Sequence, residues 1–157
     1  MSFDLLFQAI TRSSAGENTD MERLETLGDS FLKFMVSYSL YHRYPFDGNG
    51  QLTTKRTEQV SNDNLYIISI DKELKHYLNT SKIIFSGDNA NWIPPGYTTD
   101  ETNSERYFDQ NVKQKVLADM VEALIGAVLV EAGYSAAIKF MDRLGLDVIP
   151  TNQNGKH

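Results

Sequence analysis

The chain has 157 residues, 41% hydrophobic and 23% charged, which is a globular composition and enough length for one ordinary domain with a core. It has no cysteine, which excludes disulfides, thiolate zinc sites, iron–sulfur clusters and thiol nucleophiles; a reducing compartment is the expected setting, the cytoplasm first, with the nucleus left open. Fifteen Lys and Arg against 21 Asp and Glu leave a net charge of −6, which argues against a plain electrostatic nucleic-acid binder but not against an enzyme that gathers carboxylates around cations.

The start, Met1-Ser2-Phe3-Asp4, lacks the basic character of a signal or transit peptide. No apolar run approaches the roughly 18–20 residues of a membrane span, and the most apolar stretch, Val116 to Val130, is interrupted by Asp119 and Glu122. Apolar residues recur mostly at three and four, so helices are expected and strands are not. A first helix is predicted over Phe3 to Thr11, followed by a polar connection at 12–19. Asp20 is a good N-cap for a long helix over Met21 to Tyr44, which Pro45 stops. After a polar loop, Phe46 to Gly50, helices are predicted over Thr53 to Val60, from an Asn62 or Asp63 cap to Ile70, and over Asp71 to Tyr77. Residues 86–110 are turn-rich and read as a long loop, ordered around Trp92 or disordered near 98–105. A second long helix covers Asn111 to Ala132 with Gly133 as its stop, and Ser135 caps a last one to Leu144. The expected fold is all-α with about seven helices, residues 1–149 forming a single domain and 150–157 a flexible tail.

The informative segment is Glu22-Arg23-Leu24-Glu25-Thr26-Leu27-Gly28-Asp29-Ser30-Phe31. At about 100° per residue, Glu22, Glu25 and Asp29 form one carboxylate stripe, while Leu24, Leu27, Phe31 and Met35 centre on the other side. The second long helix repeats the scheme: Asp119 and Glu122 share a side with Lys115, opposite Leu117, Val121, Leu124 and Val128. Either stripe alone resembles an ordinary solvated face. Two details point further. Apart from Lys33 after Asp29, neither stripe has an i+4 cation to relieve its crowding. Gly28 and Gly126 also sit inside strong helices, where each costs about 1 kcal/mol against Ala, a cost that close backbone approach would justify. Four or five carboxylates on two packed helices would repel unless cations lay between them, and hard oxygen ligands suit Mg²⁺ or Mn²⁺.

The first segment resembles the signature helix of the ribonuclease III family, and Leu117-Ala118-Asp119-Met120-Val121-Glu122-Ala123-Leu124-Ile125-Gly126 resembles that family's second acidic motif. The likeness runs from about Phe3 to Leu144. It is greatest to the first of the two ribonuclease III domains of Dicer-type enzymes, supported by Asp29-Ser30-Phe31-Leu32-Lys33, by Val60 to Tyr66, by Asn91 to Tyr97 and by Leu144 to Pro150. The resemblance implies an endoribonuclease that hydrolyses double-stranded RNA with two divalent ions, Mg²⁺ or Mn²⁺ in its place, one domain per strand, as in small-RNA processing. Glu25, Asp29, Asp119 and Glu122 take the positions of the catalytic, metal-site carboxylates. Lys115 takes that of a lysine beside the scissile phosphate, and Glu22 that of a supporting acid. It further implies pairing: a homodimer when the domain is isolated, a second ribonuclease III domain of the same polypeptide in a parent protein. Leu32 and Val36, flanking the acid stripe, are expected at that interface. The alternative is a catalytically silent domain of the same fold that pairs with a catalytic partner and positions RNA; loss of a metal ligand would mark it, and all four are present.

Two departures stand out. Asn49 occupies the loop position where many members have Glu, which puts the outer shell of the site in doubt. No double-stranded-RNA-binding domain follows, so the chain reads as one domain of a larger protein. Weaker features are Asp47 to Glu58, a poor calcium loop with Leu52 where a glycine is needed, the basic spot Lys55-Arg56, and two histidines, His42 and His76, beside aromatics.

Overall fold

The computed structural model describes residues 2–79, 97–99, 108–110 and 113–149. Five α-helices carry the fold: α1 (Phe3–Ala9), α2 (Glu22–Arg43), α3 (Asn49–Val60), α4 (Asn62–Asp71) and α5 (Gln114–Arg143). The class is all-α, as the periodicity predicts. Three of the expected helices differ. The stretch before Tyr77 is only a 3-10 turn, Leu74–Tyr77, entered through Glu73 at φ 54°. The last two expected helices form one element broken at Gly133, whose φ of 76° and ψ of −176° are not helical. Within the segment expected as loop, β1 (Tyr97–Thr99) pairs antiparallel with β2 (Phe108–Gln110); Trp92, most of that segment and the expected tail at 150–157 lie outside the described residues. No helix among the described residues is long and apolar enough to cross a membrane.

The helix starts follow local hydrogen bonding. The N-cap of α2 is Met21, not Asp20 as expected; Asp20, one residue earlier, still accepts from the Glu22 amide at 3.1 Å. α3 begins four residues earlier than its apolar pattern indicates, because the Gln51 side chain accepts from the Gly48 amide at 3.0 Å and draws Asn49 and Gly50 into the first turn. α4 is capped by Ser61, not by Asn62 or Asp63: its hydroxyl accepts from the Asn64 amide at 3.2 Å.

α2 and α5 form the centre, with α1 and α4 against α5 and α3 against α2. One core cluster joins Phe31, Leu32, Met35, Val36 and Leu40 of α2 to Leu65 and Ile68 of α4 and to Val121 and Ile125 of α5. Another joins Ala9, Met21 and Leu24 to Leu117, Met120 and Leu124. The chain after α5 folds back over α2 and α3: the Asp147 amide donates to Gln59, the Ile149 amide donates to the Ser39 hydroxyl, both at 2.9 Å, and Leu146 and Val148 are buried.

This packing corrects the expected interface. Leu32 and Val36 are both 0% exposed. The face that carries acids in the first turns of α2 turns into core further along, where α4, α5 and the returning segment 144–149 cover it. A projection down the helix axis merges these two stretches. Leu27, expected in the core, is instead partly exposed.

Candidate metal centre

The acids meet because α2 and α5 cross at two glycines. A Cβ on Gly28 would lie 1.8 Å from the Glu122 carbonyl oxygen, and one on Gly126 would lie 2.2 Å from the Leu24 carbonyl oxygen. Only hydrogen fits at either position, so the backbones touch. Glu25 and Asp29 flank Gly28 on α2, while Asp119 and Glu122 occupy the two turns before Gly126 on α5, so the crossing sets their spacing directly.

Glu25, Asp119 and Glu122 each bring a carboxylate oxygen within 4.8 Å of the others. Asp119 and Glu122 are buried, at 8% and 6% exposure, and Glu25 is half-buried. The second acidic stripe is therefore not a solvated face. Asp29 stands just outside this triad. Its carboxylate accepts from Lys33 Nζ at 2.8 Å, and its charge acts on Glu122 more strongly than that of any other acid. Lys115 closes the other end: its ammonium donates to both Asp119 oxygens at 2.8 Å and lies 3.9 Å from Glu25 Oε1. Glu22 is exposed and outside the cluster, though its charge adds to the field on Glu25.

The crowding has an electrostatic consequence. Burial, then the charges of Asp29 and Asp119, the hydrogen bond that the protonated carboxyl can donate to Asp29 and the charge of Glu25 push the Glu122 carboxyl up to about 8. Burial and Asp119 likewise raise Glu25, against the opposing pull of Lys115. The hydrogen bond to Asp119 raises Lys115. A cluster that retains a proton for want of positive charge, built wholly of hard carboxylate oxygens, fits a divalent cation of the magnesium or manganese kind. Among the described residues no nitrogen or sulfur ligand joins this group.

The lesser candidates resolve into structure. Lys55 pairs with Asp47 at 2.6 Å and sits 3.5 Å over the Tyr44 ring, so it is a packing residue. Residues 49–58 of the nominal calcium loop are helical. His42 packs edge-on against Tyr38 and Tyr41. Missed in the sequence is an exposed aromatic stripe on α2, Phe34, Tyr38 and Tyr41, whose three-and-four spacing lies off the core face.

Residues 22–133, well over half of the chain, match the family model described as the Ribonuclease III domain. The chain belongs to the ribonuclease III family. It is 34% identical over 147 residues to the protein Dicer of Schizosaccharomyces pombe, covering 93% of this chain and 10% of that protein. It is 33% identical over 175 residues to Endoribonuclease Dicer homolog 1 of Arabidopsis thaliana, covering 91% and 9%. The chain thus spans about a tenth of the length of these relatives and is a ribonuclease III domain of the Dicer type. Among solved structures, it matches the nuclease domain of ribonuclease III from Campylobacter jejuni, described for structural flexibility in a region involved in dimer formation. The TM-score is 0.65 at 29% identity, over 90% of this chain and 84% of that one. Dicer from Pichia stipitis shares the fold, with a TM-score of 0.55 at 22% identity over 98% of this chain and 64% of that one.

Proposed function

We propose that this domain is a metal-dependent endonuclease for double-stranded RNA that cuts one strand and works as half of a pair. The observation that carries the reading is the buried triad of Glu25, Asp119 and Glu122, fixed by the glycine crossing and extended by Asp29. Those four carboxylates would hold two divalent ions, Mg²⁺ or Mn²⁺. Bound there, the ions supply Lewis acidity for activating water and for steadying the departing 3′ oxygen of a phosphodiester. Burial and the neighbouring acids favour a proton on Glu122, and a divalent cation bound beside it would favour its ionised form. Asp29, the more exposed acid beside the triad, would orient water at the cluster's edge. Lys115, its side chain 65% exposed beside Asp119, would set an ammonium against the phosphate and offset developing charge. Glu22 would add negative potential from the rim. The partner would be a second copy of this domain, or a second ribonuclease III domain in a longer polypeptide, in a reducing cytoplasm.

A labelled RNA duplex with Mg²⁺ tests this. Wild type should cut it, Asp29→Asn should lose at least about a hundredfold in rate with its fold intact, and Lys115→Ala should cut more slowly. Wild-type rates for Asp29→Asn would refute the site. A wild-type domain that binds metal and pairs yet leaves the duplex whole would support the silent-scaffold alternative instead.

A further inference from the structure

Two ammonium groups bracket the acid cluster, and they are placed differently. Lys115 reaches Asp119 from α5, the helix that carries it, and also approaches Glu25 on α2. Lys33 lies one turn after Asp29 on α2 and takes its Oδ2 at 2.8 Å. Asp29 is the member of the four that does not join the tight oxygen triad, although its charge is the strongest that acts on Glu122 within it. One carboxylate thus serves an ammonium on one side and the cluster on the other. The lysine side chain is 54% exposed and the aspartate side chain 30%, so the pair sits where solvent, salt and an arriving cation all reach it.

We propose that Lys33 is a positioning residue that competes with divalent metal for Asp29, so that the strength of the Lys33–Asp29 pair sets how readily the cluster is loaded. The inference rests on the metal-site reading above. A helical i, i+4 pair persists without tertiary support, so the competitor is built into α2. Removing it leaves the cluster one positive charge poorer and frees the Asp29 oxygen. Both changes favour a divalent ion. Orienting Asp29 for the metal would have the opposite effect on affinity, and this separates the two roles.

Mn²⁺ binding is measured by calorimetry at low and high salt for wild type, Lys33→Met and Lys33→Arg, without RNA. Lys33→Met should bind about tenfold tighter at low salt, the scale of coupling between a single and a double charge a few ångströms apart in a water-like dielectric. The gain should shrink at high salt, since the pair is half in solvent. Lys33→Arg, which keeps the charge, should stay within about twofold of wild type. Equal affinities, or weaker binding by Lys33→Met, would overturn the competition while leaving the metal site standing. No Mn²⁺ binding by wild type would overturn the site reading and the inference together.

Discussion

At Glu122, burial and the neighbouring acids keep a proton on the folded chain that the unfolded chain would release. Between the ordinary carboxyl value of 4.5 and about 8, the folded state therefore binds more protons than the unfolded one, and stability falls as pH rises through that window. Glu25, also raised, adds to the slope with the same sign. In chelator-treated protein, Tm should drop from pH 5.5 to 8.5, and Glu122→Gln should flatten the decline. Millimolar Mg²⁺ should raise Tm most at the alkaline end, where the cluster is fully ionised. A chelated Tm that climbs with pH over this range would contradict the protonation assigned to Glu122. The acids themselves were legible in the sequence, because their residue types and spacing mark the motif. Their depth was not: the sequence offered a solvated face as a reasonable reading of Asp119 and Glu122, and only tertiary packing buries them.

The two glycines make the α2–α5 crossing sensitive to a single methyl group. Gly28→Ala gains about 1 kcal/mol of helix propensity, yet it drives a Cβ to 1.8 Å from a backbone oxygen that cannot rotate aside. The helices must part, so the net loss should exceed the roughly 1–3 kcal/mol of ordinary overpacking. Chemical denaturation of Gly28→Ala and Gly126→Ala measures it, and a neutral Gly28→Ala would disprove the contact. Leu32→Ala should cost about 2–5 kcal/mol as a core deletion. At this scale the sequence was a good guide to the two long helices and to the glycine contact, since both follow from local pattern. It misplaced the α3 start, where a Gln51 side chain decides, and the environment of Leu32 and Val36, where the returning segment from Leu144 to Ile149 covers a face that periodicity alone leaves open.

For the whole molecule, the unburied apolar surface of α2 is Leu27, Phe34, Tyr38 and Tyr41, not the flank of the acid stripe. Phe34, Tyr38 and Tyr41 also line a groove of about 370 Å³ shared with Leu52 and Arg56 of α3. If two copies pair, this stripe is the surface to test. A dimer would carry about −12, twice the −6 of one chain, so association should strengthen with Mg²⁺ and with salt. Sedimentation should show Tyr38→Glu as a folded monomer under conditions where wild type associates, whereas Val36→Glu should fail to fold. An associating Tyr38→Glu would move the interface elsewhere.

The Gly28–Gly126 crossing also ties the spacing of the acids to the integrity of the domain. No side chain lies between the helices there to act as a cushion, so the acids cannot spread apart while the two backbones stay in register. Amide hydrogen exchange should register this. The amides from Glu122 to Gly126 should exchange only through global opening, with protection equal to the full unfolding free energy. The exposed turns of α3 should exchange by local fraying. Ligand geometry and fold should then vanish in one transition, leaving no intermediate in which the helices persist and the cluster has come apart.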